Sequence, residues 1–290
     1  MLETGQRMEC RLRGRFKNLD LKVTNPIAVG DYVHLEPDDE GKGIITEIEP
    51  RENYIIRKSV KKTDHAHLIA ANVDRAVLIV TLAFPRTSTG FIDRFLVTAE
   101  SFRIPATLVF NKMEILEEEG LAVQAEMMDL YRRLGYQCFE VSALEGRGMD
   151  ALKEHLRHGT SVLSGHSGAG KSTIINYLIP DAAQRTAEVS SYASKGVHTT
   201  TFAEMFQMDE DSFLIDTPGI KELGLVDMED WEISHYFPEM RAYLGQCRFN
   251  DCKHVNEPGC AVIEAMERGE IANSRYYSYF SMILNKESHR

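Results

Sequence analysis

Residues 161–178 read Ser161-Val162-Leu163-Ser164-Gly165-His166-Ser167-Gly168-Ala169-Gly170-Lys171-Ser172-Thr173-Ile174-Ile175-Asn176-Tyr177-Leu178. From Gly165 to Ser172 the stretch fits G-x-x-x-x-G-K-[ST]. A short apolar strand precedes it and a helical pattern follows it, the context this loop requires. Glycines let successive backbone amides wrap phosphate oxygens, and the helix N-terminus adds unsatisfied N–H groups and a favourable dipole. The backbone of Gly165, His166, Ser167, Gly168, Ala169 and Gly170 is therefore expected around the phosphates. Lys171 is expected to reach the β- and γ-phosphates, and Ser172, followed by Thr173, to meet Mg²⁺.

Working outward, residues 77–81 and 106–110 are continuous apolar runs, as in strands buried on both faces. Further strands are expected at 137–141, 161–163, 202–208 and 212–215. Helical spacing covers 92–102, 121–134, 149–156 and 171–178. This alternation predicts a mostly parallel sheet covered by helices over residues 65–225.

Residues 1–64 read instead as short strands separated by turns, at 8–16, 32–35, 44–48 and 54–56, which fits a small OB-type β-barrel. Such a barrel normally has five strands, and an opening strand is missing from this count. Residues 226–290 read as short helices and loops around cysteines.

The chain of 290 residues suits two or three domains. Its 43% apolar and 27% charged residues exclude global disorder. No apolar run approaches the ~20 residues of a spanning helix, and no signal region opens the chain, so no membrane association is expected. The formal net charge of -11 argues against indiscriminate coating of nucleic acid. That charge is uneven: net zero over 1–64, -7 over 65–225 and -4 over 226–290. Arg11, Arg13, Arg15 and Lys17 occupy alternate positions, so a strand places them on one face, a candidate RNA contact.

Asn111-Lys112-Met113-Glu114 ends the 106–110 strand and resembles the N-K-x-D guanine motif of GTPases. In that motif the Asn supports the loop, the Lys stem covers the purine, and the carboxylate accepts from the guanine N–H and amine. Adenine lacks that donor pair, so the unpaired carboxylate rejects it. Here Glu114 keeps the charge on a stem one methylene longer. Ser142-Ala143 resembles the short segment whose backbone N–H meets guanine O6. Asp216-Thr217-Pro218-Gly219 is D-x-x-G, expected to hold Mg²⁺ through Asp216 and the γ-phosphate through the Gly219 N–H. Gly196-Val197-His198-Thr199-Thr200-Thr201 lies between. A threonine there would complete the Mg²⁺ shell, and its release on hydrolysis would free the loop.

The order is base motifs, phosphate loop, then switch motifs, a circular permutation of the usual order. Site loops gather at the carboxyl ends of parallel strands, so relinking the strands preserves the site. In many small GTPases a Gln after the D-x-x-G glycine orients the attacking water, but Ile220 stands here. His198 is the nearest candidate to orient or activate that water.

Cys247-x4-Cys252-x-His254-x5-Cys260 offers three thiolates and one imidazole, a closed tetrahedral set for one structural Zn²⁺. Helices are expected after it at 262–266 and 276–284. Cys10 and Cys138 stand alone and read as packing residues.

Taken together, these motifs, with Ile69-Ala70-Ala71-Asn72-Val73-Asp74 and Asp93-Arg94-Phe95-Leu96, resemble the ribosome small-subunit-dependent GTPase A family (RsgA/YjeQ) across the whole chain. The resemblance implies a multidomain protein: an OB-fold RNA-binding domain (1–64), a circularly permuted P-loop GTPase domain (65–225) and a mainly helical zinc-knuckle domain (226–290). It also implies a cytoplasmic monomer that binds GTP and GDP, the 30S subunit and 16S rRNA. Its GTP hydrolysis would be stimulated by the subunit late in maturation, promoting release of assembly factors. It assigns Thr200 as the Mg²⁺-sensing threonine and His198 as the catalytic histidine. Two other readings stay open at the level of sequence: a nucleotide-gated RNA-binding module with negligible hydrolysis, and a P-loop ATPase or kinase.

Overall fold

The computed structural model describes residues 6–13, 25–39, 41–58, 66–180, 203–217 and 228–287. In the N-terminal region β1 (Cys10–Leu12) pairs in parallel with β3 (Gly43–Ile48), which pairs antiparallel with β2 (Val33–Pro37). The antiparallel pair β4 (Tyr54–Lys58) and β5 (Ala66–Ala71) follows. Val29 bridges to Ala70, and Arg51 donates to both Asp31 carboxylate oxygens, at 2.6 and 2.7 Å. These ties join the strands into one β unit.

The sequence pattern missed β5. Residues 66–71 include three alanines and no polar alternation, so nothing local marks a strand. The strand exists because Ile55 and Ala70, paired across it, are buried in one core cluster. Cys10 is exposed rather than packed, while Cys138 is buried as expected.

The basic stripe is represented by Arg11 and Arg13; Arg15 and Lys17 lie outside the described residues. Arg11 faces Asp38 at 3.3 Å and Arg13 faces Glu36 at 3.8 Å, so neighbouring acids offset part of that charge.

The central sheet is built from β6 (Arg75–Val80), β7 (Ala106–Phe110), β8 (Gln137–Glu140), β9 (Gly159–Gly165), β10 (Glu204–Asp209) and β11 (Ser212–Asp216). Their order is β10-β11-β9-β6-β7-β8. All pairings are parallel except β10 with β11 at one edge.

Period-2 geometry explains the continuous apolar runs. Val77 and Ile79 of β6 pack into one core with Leu163, Ile174 and Leu178. Leu78 and Val80 pack into another with Phe95, Leu108 and Tyr131. Both faces are covered by helices α1 (Thr89–Ser101), α2 (Glu118–Arg133), α3 (Met149–His155) and α4 (Lys171–Leu178). Helix α1 starts three residues before its apolar pattern because Ser88 caps it, accepting from the Phe91 N–H at 3.2 Å.

The C-terminal region contains α5 (Asp230–Ile233), α6 (Pro238–Arg241), α7 (Ala261–Glu267) and α8 (Asn273–Glu287). Its core gathers Ile233, Phe237, Met240, Val262, Ala265 and Tyr279, and it includes Val97 from α1. Helix α1 is thus shared between the sheet and the C-terminal region, and α8 packs along it. Among the described residues, no helix is long and apolar enough to cross a membrane.

Candidate nucleotide site and metal centre

The strand order brings the motifs to one edge. Asp216 ends β11, Gly165 ends β9, Asn111 follows β7 and Ser142-Ala143 follow β8. All lie at carboxyl ends of parallel strands, where helix N-termini and loop amides converge.

The loop between β9 and α4 needs its glycines. Gly165 has φ +145°, and a Cβ there would stand 2.8 Å from the Ile79 carbonyl oxygen. Gly170 has φ +101°, and a Cβ there would stand 2.3 Å from Asn111 Nδ2. Lys171 opens α4 and its Nζ donates to the carbonyls of Gly165 at 2.7 Å and His166 at 3.0 Å. The ammonium is thereby held across the mouth of the loop. Ser172 and Thr173 sit in the first turn of α4.

Asn111 is the centre of the guanine-motif region. Its Nδ2 donates to the Ala169 carbonyl at 2.9 Å, and its Oδ1 accepts from the Ala143 N–H at 3.1 Å. One buried side chain thus ties the phosphate loop to the segment after β8. Lys112 adopts φ +68° and donates to the Phe84 carbonyl at 2.5 Å. Glu114 lies in a single 3-10 turn, Met113–Ile115, and its Oε2 is buried without a hydrogen-bond partner. Ser142 is buried, its Oγ accepting from the Glu145 N–H at 3.2 Å, which shapes the loop that carries Ala143.

On the other side, Asp216 carries a buried Oδ1 that also lacks a hydrogen-bond partner. Burial raises its carboxyl above the usual range, and the Lys171 charge opposes that rise. Burial likewise lowers the Lys171 ammonium, with Asp216 opposing. An orphaned carboxylate oxygen on the strand next to a helix-opening Lys-Ser pair fits an octahedral Mg²⁺ site, which takes few protein oxygens and keeps most of its waters. Thr217 Oγ1 donates to the Leu163 carbonyl at 3.0 Å and fixes the end of β11 against β9. His198, Thr200 and Gly219 lie outside the described residues.

Cys247, Cys252, His254 and Cys260 converge, their ligand atoms all within 4.8 Å of one another. Cys247 Sγ stands 3.9 Å from Cys260 Sγ, and His254 Nδ1 lies 3.5 and 3.3 Å from those two sulfurs. A tetrahedron with ~2.3 Å metal–sulfur bonds has sulfur–sulfur edges of about 3.8 Å, so the donor set fits zinc in type and spacing. The loop is fixed from outside: Tyr276 OH donates to the His254 carbonyl at 3.0 Å and Tyr279 OH to the Lys253 carbonyl at 2.6 Å. Glu257 accepts from the backbone N–H groups of Lys253, Val255 and Asn256. Burial would raise its carboxyl, but these donors pull it down to about 2.

Two features escaped the motif reading. Phe91 of α1 packs on the His166 ring, centroids 4.2 Å apart. Arg275 of α8 is fully buried against Asp93 and Glu239. The segment Asp93-Arg94-Phe95-Leu96 was noticeable in the sequence, yet nothing in it named a partner 182 residues away.

The RsgA GTPase model matches residues 48–226, and the RsgA N-terminal domain model matches residues 1–45. A Cytophaga hutchinsonii protein described as small ribosomal subunit biogenesis GTPase RsgA is 52% identical over 290 residues, covering 99% of this chain and 94% of that protein. Small ribosomal subunit biogenesis GTPase RsgA 2 of Bacteroides thetaiotaomicron is 49% identical over 285 residues, with 98% and 92% covered. Among solved structures, YjeQ from Thermotoga maritima superposes with a TM-score of 0.79 at 38% identity, covering 98% of this chain and 91% of that one. YloQ, a circularly permuted GTPase, gives 0.75 at 28% identity, with 98% and 88% covered. Permuted motif order, strand topology and these matches agree: the chain belongs to the RsgA GTPase family.

Proposed function

We propose that this GTPase acts in late maturation of the 30S ribosomal subunit, binding the subunit and hydrolysing GTP to GDP and phosphate under its stimulation. The observation that carries the guanine-nucleotide assignment is the Asn111 clasp. One side chain holds the phosphate loop and the Ser142-Ala143 segment together, and Glu114 stands three residues on with a buried unpaired oxygen.

In this reading Glu114 accepts from the guanine ring N–H and amine, Lys112 covers the base, and Ala143 borders it. Gly165 to Gly170 surround the phosphates, and Lys171 turns from loop carbonyls to the β- and γ-phosphates. Ser172 and Asp216, with Thr173 beside them, would hold Mg²⁺, whose charge would offset that developing on the phosphates. Thr200 senses the γ-phosphate with the Gly219 N–H, and His198 orients the attacking water. Zn²⁺, one per chain, is held by Cys247, Cys252, His254 and Cys260 and has a structural role, because all four positions are filled by protein.

The working domains are 1–64, 65–225 and 226–290. The first offers Arg11, Arg13, Arg15 and Lys17 to 16S rRNA, and the acidic remainder limits non-specific RNA binding, which depends on phosphate attraction. The protein works in the cytoplasm as a monomer.

GTP turnover measured with and without purified 30S subunits tests the assignment. Stimulated turnover of GTP but not ATP is expected. Turnover unaffected by the subunit, or equal use of ATP, defeats it.

A further inference from the structure

Helix α1 touches the nucleotide site at one end and the C-terminal region along its length. Three contacts make the first connection. The Phe84 carbonyl, in the loop leading into α1, accepts from Lys112 Nζ. Pro85 in the same loop borders Gly168, its Cδ lying 3.6 Å from where a Cβ on that glycine would stand. Phe91, in the first turn, packs against the His166 ring of the phosphate loop, the two rings tilted by 32°.

The second connection is a buried charge cluster. Arg275 Nη1 donates to Asp93 Oδ1 at 2.6 Å, while its Nε and Nη2 donate to the two Glu239 oxygens at 2.6 and 3.2 Å. Tyr131 OH donates to the same Asp93 oxygen at 2.8 Å. The guanidinium lies over the Phe237 ring, 4.6 Å from its centroid. Asp93 and Arg275 are both 0% exposed. Near the far end of α1, Arg241 reaches Glu100 at 2.5 Å.

Asp93 and Phe91 are two residues apart on one helix, so a roll or slide of α1 that moves one moves the other. A buried, fully paired guanidinium tolerates little displacement, because any shift strands a charge away from water.

We propose that Asp93, Glu239 and Arg275 are positioning residues for the nucleotide site: they fix the seat of α1, and α1 sets the phosphate loop through Phe91 and His166. Nucleotide binding and the packing of α8 are then energetically coupled, and the coupling is reciprocal. Nucleotide at the phosphate loop makes α8 harder to open, and a disturbed charge cluster weakens nucleotide binding without touching it.

The test uses the full chain and fluorescently labelled GDP. Dissociation constants are measured for the unmodified protein, Glu239→Gln, Phe91→Leu and the double variant. Glu239→Gln is expected to weaken binding about fivefold, and to add little in the Phe91→Leu background, because the link is already cut there. Equal binding by the unmodified protein and Glu239→Gln, or fully additive effects, overturns the inference.

Hydrogen exchange on the unmodified protein covers the case in which a variant fails to fold. GDP is expected to slow exchange in α8, and unchanged protection there despite bound GDP overturns the inference. A protein that binds no GDP at all would instead defeat the assignment of the nucleotide site, which is a different outcome.

Discussion

Asn111 Nδ2 donates to the carbonyl of Ala169 at 2.9 Å, across 58 positions of chain. The same side chain accepts from Ala143, so the end of β7 latches the phosphate loop and the segment after β8 at once. A guanine motif and a phosphate motif that are separate words in the sequence are one hydrogen-bonded unit in the fold.

Replacing Asn111 with Ala leaves the Ala169 carbonyl and the Ala143 N–H without their buried partner. Each such loss costs about 1–3 kcal/mol. The variant should melt several degrees lower and bind GDP at least about tenfold more weakly, measured by calorimetry. Gly170→Ala should have a similar effect, since its Cβ would displace Asn111 Nδ2. Unaltered GDP affinity in Asn111→Ala would contradict the latch.

Glu114→Gln keeps the size of the side chain and removes its charge. The amide cannot accept both guanine donors, so the preference for GTP over ATP should collapse by about two orders of magnitude. Competition binding with the two nucleotides measures this. A preserved preference would mean that Glu114 does not read the base.

Asp216 and Lys171 set a pH dependence. Burial raises the Asp216 carboxyl above 3.8 and lowers the Lys171 ammonium below 10.5. The kcat/KM profile of the free enzyme should therefore lose activity on the acid side above 3.8 and on the basic side below 10.5. For folding the sign is opposite in consequence. A raised carboxyl pKa gives a contribution present below 3.8 and lost as pH rises through the folded value. Asp216→Asn should then stabilise the nucleotide-free protein at neutral pH by about 1 kcal/mol while impairing turnover. Lower thermal stability in that variant would argue against a net cost from the buried, partnerless Oδ1.

The two ion pairs on α1 should differ sharply in strength. Arg241 is half exposed, so Arg241→Ala should cost no more than about 1 kcal/mol despite its short contact with Glu100. Arg275→Met strands Asp93 and Glu239 in the interior and should cost about 3–5 kcal/mol. Urea denaturation of both variants makes the comparison, and equal costs would count against the burial argument.

Stripping metal with a chelator should unfold the segment around Cys247 to Cys260, because that loop has little apolar core of its own and metal binding supplies its folding energy. Elemental analysis of the intact protein should find about one zinc per chain. Near-ultraviolet dichroism should report loss of ordered Tyr276 and Tyr279 on chelation, since both hydroxyls hold that loop. A protein that keeps this signal after complete metal removal would refute a structural metal.

Much of this molecule was legible locally. Gly165 to Ser172 could be read as a phosphate loop because the chemistry requires glycines, a lysine and a hydroxyl at fixed spacing. The strand at 106–110 and the helix at 171–178 were read with their observed bounds, since buried runs and helical periodicity are short-range signals. The convergence of Cys247, Cys252, His254 and Cys260 was legible for the same reason: thiolates and an imidazole crowded into fourteen residues have few other uses.

What the sequence could not decide was who meets whom across the fold. Strand β5 exists only because β4 lies beside it. Asn111 became a latch only when β6 was inserted between β7 and β9 in the sheet, setting its side chain at reach of Ala169. Nothing in the sequence singles out Arg275, and it is buried because Asp93, Glu239 and Tyr131 arrive from three other elements to satisfy and surround it. Periodicity and motif spacing report interactions between residues near in the chain. Burial of a charge and the closing of a latch depend on residues brought together by packing, and no local pattern records them.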